Sequence, residues 1–197
     1  MKVYAVRKGR KPGIYTSWSE CQLQVQGFKG AEFKSFKKHS EAYEYLREFK
    51  KDEQVLNDIQ VDLHIYIDGS YDKKTGFCSY AVVILNDERQ LIDTISKSFF
   101  DTFNSHNVTG EIFGAIEAIR YAFNKNMSAI IYHDYTGVSA WYKGEWSIKS
   151  EIAQYYDSEI KHMKNHDIYF KKVLGHSGDQ YNELADRLAK RELNIIE

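Results

Sequence analysis

Val61-Asp62-Leu63-His64-Ile65-Tyr66-Ile67-Asp68 is the stretch on which the fold turns. Val61, Leu63, Ile65 and Ile67 alternate with Asp62, His64, Tyr66 and Asp68, and a period of two describes a strand with two distinct faces. Asp68 closes the run, followed by Gly69-Ser70. Downstream, residues 76–85 and 90–100 read as two more strands joined by a turn near Asn86-Asp87-Glu88. Residues 108–124 carry Ile112, Ala115, Ile116, Ile119 and Phe123 at helical spacing. Ala129 to Tyr132 is a short apolar run of the kind a buried parallel strand shows. Helices are predicted over 136–142 and 149–164, a fifth strand over 168–174, and a last helix over 180–193 with Leu184 and Leu188 on its core side. Three strands, then helix, strand, helices, strand and helix, give an α/β fold: a five-stranded mixed sheet flanked by helices.

Working back toward the N-terminus, residues 47–60 are mostly charged and polar and read as a linker. A separate small α+β module precedes them at residues 1–46. In it Val3 to Val6 is a strand, Gly9 to Gly13 a basic turn holding the chain's one proline, Pro12, and Ala31 to Phe36 another strand. Ser17-Trp18-Ser19-Glu20 has the spacing of a capping box, so a short helix follows it, with Trp18, Cys21, Leu23 and Val25 as its apolar residues. Ser40 is expected to cap a second helix running through Leu46. The unit from 61 to 197 is the larger domain.

Net charge is −1 over 197 residues, so bulk charge predicts no polyanion partner. The distribution does. Residues 1–45 hold nine Lys and Arg against four Asp and Glu, a net of +5, so the remainder carries −6. A basic head on an acidic body suggests a polyanion-binding module joined to something else. Two cysteines are too few for a disulfide framework or a zinc site and fit a reducing compartment. The basic N-terminus has no apolar signal core, and no run approaches the roughly 20 apolar residues that span a bilayer. The expectation is a soluble, cytoplasmic monomer with no membrane partner.

Four acids mark a candidate site. Asp68 ends the alternating strand, Glu111 opens the amphipathic helix, Asp134 follows the apolar run, and Asp186 lies on the last helix. In a mixed α/β sheet the strands ending at Asp68 and Asp134 can lie parallel and adjacent, with their carboxyl ends at one edge. The helix dipole would favour ionised Glu111. Asp186 lies roughly opposite the Leu184 and Leu188 stripe at about 100° per residue. Each acid alone has a plain structural reading: an Asp-Gly turn, a helix start, a helix cap, a solvated surface. Together, strand end, helix start, strand end and late helix suggest a cradle for hard divalent cations, Mg²⁺ or Mn²⁺. Two such ions stabilise the attacking and leaving oxygens of a phosphoryl displacement. His176, in the glycine-flanked run Gly175-His176-Ser177-Gly178, could shuttle a proton, and Asn182, one turn before Asp186, could bond a phosphate or sugar.

These residues resemble a known family. Asp68-Gly69-Ser70, the Glu111 helix, the strand ending in Asp134, and Gly175-His176-Ser177-Gly178 with Asn182-Glu183-Leu184-Ala185-Asp186 are similar to type 1 ribonuclease H. The resemblance implies a ribonuclease H-like fold. It implies endonucleolytic cleavage of the RNA strand of RNA–DNA hybrids with two Mg²⁺ ions (Mn²⁺ as a substitute), leaving 3′-hydroxyl and 5′-phosphate ends. It makes Asp68, Glu111, Asp134 and Asp186 metal ligands and His176 the proton shuttle. Ser70, Asn107 and Asn182 are then substrate contacts, Asn107 in the minor groove. The N-terminal module resembles the hybrid-binding (viroplasmin-like) domain through Tyr4-Ala5-Val6-Arg7-Lys8-Gly9-Arg10-Lys11-Pro12-Gly13, Trp18 and Ala31-Glu32-Phe33-Lys34-Ser35-Phe36. Tyr4, Trp18 and Lys34 are its implied contacts, with double-stranded RNA a second ligand. Lysines and arginines neutralise phosphates, and flat rings stack on sugars or bases.

The chain departs from that pattern in places. Tyr135 follows Asp134 where the family commonly has serine, Tyr71 follows Ser70 where smaller residues are familiar, and Lys34-Ser35 stands for a common lysine pair. Between Trp141 and Tyr155 there is no room for the long basic insertion many members carry, so the basic head is expected to replace it. Two alternatives share the fold: a hybrid-binding protein with weak catalysis, and a two-metal nuclease acting on branched DNA.

Overall fold

A computed structural model describes residues 2–47, 59–164, 166–173 and 178–195. The expected linker, His176 and its neighbours 174–177 therefore lie, wholly or mostly, outside the described residues. The chain divides into two compact units, Met1–Ile59 and Gln60–Glu197.

In the first unit β1 (Val3–Lys8) is flanked by antiparallel partners β2 (Gly13–Tyr15) and β3 (Glu32–Phe36). Helix α1 (Trp18–Val25) begins with the expected capping box: Ser17 Oγ accepts from Glu20 N at 3.2 Å, and the Glu20 carboxylate accepts from Ser17 N at 3.2 Å. Only Cys21 and Val25 of this helix are buried, packed with Val6 under β1, whereas Trp18 and Leu23 stay exposed. Helix α2 covers 39–47, so Ser40 sits inside its first turn and does not cap it. Arg7 stacks 3.4 Å above the Tyr45 ring centroid and donates to Tyr45 O from Nη2 at 2.7 Å, fastening α2 to β1. Arg10 donates to Leu23 O and Gln26 O at 3.0 and 2.7 Å, satisfying carbonyls at the C-terminus of α1.

In the second unit β4 (Leu63–Asp72), β5 (Phe77–Asn86) and β6 (Leu91–Phe100) form an antiparallel meander. Helix α3 (Asn107–Lys125) then leads to β7 (Ala129–His133), which pairs parallel with β4. After α4 (Gly137–Tyr142), α5 (Glu151–Ile160) and a 3-10 turn (Lys161–Met163), β8 (Ile168–Lys172) pairs parallel with β7. The sheet order is β6-β5-β4-β7-β8, and α6 (Gln180–Glu192) closes the unit. The five-stranded mixed sheet and the small α+β module are thus as the sequence predicts, while the module's third strand, β2, is an addition to the two strands expected there. The helix expected over 149–164 is divided, its last turn tightening to 3-10.

Alternation along the strands decides what packs where. Leu63, Ile65, Ile67, Val82, Ile84 and Ile131 face α3 and α5, where Ile112, Ile116, Ile119 and Tyr156 complete the core. Each fully buried aliphatic side chain there contributes about 1.5–3 kcal/mol. Ser79 and its alternates point to the other face, which α6 crosses. Contrary to expectation, the seat of α6 is not Leu184 and Leu188 but Asn182, Ala185 and Ala189. Small residues let the helix approach until Ser79 Oγ donates to Ala189 O at 2.6 Å. No helix among the described residues is long and apolar enough to cross a membrane.

Candidate active site

The register of β4 against β7 places two of the four acids. Their parallel pairing ends at Tyr66 opposite Tyr132, and Asp68 and Asp134 each lie two residues further on. They therefore emerge level, on the same face, from strands that neighbour at roughly 4.8 Å. Beyond this point β4 continues to Asp72 paired only with β5, so Asp68 sits within its strand rather than at its end. Asp68 Oδ1 accepts from Gly69 N at 2.7 Å.

Glu111 arrives from α3, and two glycines let it. A Cβ on Gly110 would stand 2.3 Å from Ser79 O and 2.8 Å from Gly69 Cα; one on Gly69 would stand 2.4 Å from Glu111 N. The helix backbone thus rests directly on β4 and β5. The helix starts at Asn107, so Glu111 lies one turn inside it and does not open it. It is 4% exposed. Burial, then the charges of Asp134 and Asp68, push the Glu111 carboxyl well above the usual carboxylate range. The expected stabilisation of its ionised form by the helix dipole is overridden. Glu111 Oε2 meets no hydrogen-bond partner, so a shared proton or a cation is what could compensate it.

Burial, then the charges of Asp134 and Asp186, push Asp68 up to about 7. Asp186, half-buried on α6, pairs with Lys190 Nζ at 2.8 Å. Asp68 thus feels the charges of Asp134 and Asp186, and Glu111 those of Asp134 and Asp68. Among the described residues no group of three or more His, Cys, Asp or Glu side chains is arranged to hold a metal ion. The Asp134 turn is filled by Tyr135, whose ring lies edge-on to Trp141 and Trp146 at 5.9 and 6.4 Å and occupies the space a Gly137 Cβ would need. Lys172 Nζ donates to Thr136 Oγ1 at 2.6 Å in the same turn.

Of the expected substrate contacts in this unit, Ser70 is buried, Asn107 is exposed at the first position of α3, and Asn182 is buried at 3% exposure. Tyr71 stacks on His106 at 4.4 Å. A network missed by the sequence reading anchors the start of α6. Asp179 caps it, accepting from Tyr181 N at 3.0 Å and Asn182 N at 3.2 Å. Tyr66 Oη donates to the same carboxylate at 3.4 Å, and Arg89 donates to Tyr66 and Tyr132 hydroxyls at 3.3 and 2.9 Å. Burial, then the Arg89 and Lys171 charges, push the neighbouring His64 down to about 4.

The first unit carries its own surface. Trp18, 43% exposed, packs between Tyr4 and Phe33 with ring centroids 5.5 and 5.7 Å apart, whereas exposed Lys34, next to Phe33 on β3, points to the other face with its Nζ 5.7 Å from the Phe36 ring centroid. Phe33, itself exposed, was missed; its alternation with Lys34 on β3 was the available signal.

Comparison with known proteins agrees unit by unit. A family model described as Ribonuclease H1 N-terminal domain matches residues 2–46, and one described as RNase H matches residues 60–194. Mouse Ribonuclease H1 is 50% identical over 44 residues, 22% of this chain and 15% of that protein, so the match spans a small part of the relative. Ribonuclease H of a Wolbachia from Drosophila simulans is 28% identical over 141 residues, covering 67% of this chain and 95% of that protein. The crystal structure of LC11-RNase H1 in complex with RNA/DNA hybrid matches with TM-score 0.56 at 18% identity, covering 67% of this chain and 96% of that one.

Proposed function

We propose, from the premise that this chain belongs to the ribonuclease H family, that it hydrolyses the RNA strand of RNA–DNA hybrids in a divalent-cation-dependent reaction. The observation that carries the reading is geometric: Asp68 and Asp134 lie level beyond the paired ends of adjacent parallel strands, and buried Glu111 is brought against β4 by the Gly69–Gly110 contact, so that Asp68 feels Asp134 and Asp186 and Glu111 feels Asp134 and Asp68. An all-oxygen donor set with a buried, unpartnered carboxylate oxygen fits Mg²⁺ or Mn²⁺. These four residues would hold two such ions, which when bound supply charge neutralisation and an activated water. Cleavage would leave 3′-hydroxyl and 5′-phosphate ends.

The chain's own groups do the rest. Asn107, exposed at the head of α3, faces a minor groove, and the 2′-hydroxyls there separate RNA from DNA. Ser70 lines the floor beside Asp68. Asn182, buried as it is, suits holding α6 better than touching the duplex. His176 is assigned the proton transfer to the leaving oxygen. In the first unit Tyr4, Trp18 and Phe33 offer a stacking surface and Lys34 a phosphate contact, for a hybrid or a double-stranded RNA. Arg7 and Arg10 are engaged on carbonyls of their own unit, so the +5 charge overstates the number of phosphate contacts.

A second reading, a hybrid-binding protein with weak cleavage, draws on one observation: as they stand, no three acids are arranged to hold a metal ion among the described residues. Labelled RNA–DNA, RNA–RNA and DNA–DNA duplexes incubated with Mg²⁺, with and without EDTA, separate the two. Mg²⁺-dependent cutting confined to the RNA of the hybrid is expected. Binding of the hybrid without cutting would favour the second reading, and cutting of DNA duplexes would refute both.

A further inference from the structure

Asp101 follows the last residue of β6 and is 6% exposed. Its backbone N–H donates to Gly76 O at 3.0 Å, which fixes it to the base of the sheet. Its carboxylate is saturated from one side only, by the segment that opens α3. Oδ1 accepts from Phe103 N at 3.1 Å and Thr109 Oγ1 at 2.8 Å, and Oδ2 accepts from His106 N at 2.8 Å. The His106 imidazole lies 3.6 Å from the same oxygen. Burial would raise the Asp101 carboxyl; the bonds from His106 N, Thr109 and Phe103 reverse this and hold it below the usual range.

His106 is the residue so gripped, and its geometry is unusual. It is the N-cap of α3, with φ 57° and ψ −126°, a region that a side-chain-bearing residue populates sparsely. Its own side chain makes no capping bond. Its N–H goes to Asp101, and its carbonyl accepts from Cys78 Sγ at 3.2 Å. Both sides of one strained residue are thus held by buried side chains, Cys78 of β5 and Asp101 just past β6. The next residue is Asn107, and Glu111 follows one turn later.

We propose that Asp101 is a positioning residue of the reaction: by locking the His106 backbone it sets where Asn107 and Glu111 stand at the active-site edge. A neutral residue would not serve as well, because a carboxylate alone accepts three bonds while remaining fully buried. The proposal rests on the hybrid-cleaving reading for its kinetic consequence, but not for its structural one.

The test uses full-length parent, D101N and T109V, the last removing one of the three bonds in case D101N does not fold. Native-state hydrogen exchange is read at amides 106–111 against those of α5, and hybrid-cleavage kcat and KM are measured at a temperature where all the proteins are folded. In D101N exchange at 106–111 should rise about tenfold or more relative to α5. Its kcat per folded molecule should fall roughly 10- to 100-fold, with a smaller change in KM. T109V should move both readouts the same way by less. Unchanged relative exchange in the folded variants overturns the proposal, as does unchanged kcat accompanied by a lowered Tm. A parent that cuts no hybrid would refute the functional reading instead, and the exchange comparison would still decide the positioning claim.

Discussion

Asp68 and Glu111 carry the tension of the site. Glu111 is buried and Asp68 half-buried, and each is held toward its neutral form by desolvation first and by its fellow acids second. For Asp68 the sign of the consequence is fixed. The folded carboxyl, at about 7, holds a proton that the unfolded one, near 3.8, has released. The folded state is therefore favoured below pH 4 and loses that advantage as pH rises through 7. In EDTA, D68N should be more stable than the parent by an amount that grows as pH rises from about 4 through about 7 and then levels off. Urea unfolding of the pair across that range checks it, and a pH-independent difference would remove the coupling. Gly110 answers a different question. G110A places a Cβ 2.3 Å from Ser79 O. It should cost roughly 2–3 kcal/mol by denaturation and lower hybrid cleavage further than the lost stability explains.

Strand β4 and helix α3 show what could be read in the chain and what could not. The period of two in 61–68 and the apolar stripe of α3 are local, so they predict elements directly. The level placement of Asp68 and Asp134 follows from β4 lying parallel beside β7, which was also foreseeable. The Gly69–Gly110 contact was not, because a glycine shows a close approach only when the other surface is known. Asp101 was missed for the same reason: it holds the N-cap residue of a helix from five residues away across a loop. The seat of α6 on alanines misled a reading that looks for large apolar residues. In the small unit the exposed ring of Trp18, beside Tyr4 and Phe33, is the element-scale feature with a consequence. W18A should weaken hybrid binding by about 1–3 kcal/mol in a titration at fixed salt while leaving the melting temperature of the chain nearly unchanged. A large loss of stability with no loss of affinity would return Trp18 to the core.

Across the whole molecule, a basic unit of net +5 is joined to a body of −6 that holds the acids. The proposed division of labour is that the first unit supplies affinity and the second chemistry. A chain of residues 60–197 alone should show a raised KM for hybrid and a shallower dependence of binding on salt, since fewer counterions are released. Identical kinetics would mean the basic head does not substitute for the missing insertion. The central claim is narrower than this architecture: four acids, one on strand β4, one just past strand β7 and two on helices α3 and α6, form one divalent-cation centre that cuts RNA in a hybrid. Single-turnover cleavage of a labelled hybrid by Asp134→Asn, with its hybrid affinity measured in parallel, tests it most directly. Affinity within about threefold of the parent and cleavage slowed at least about 100-fold are expected. Near-parental cleavage by that variant would contradict it.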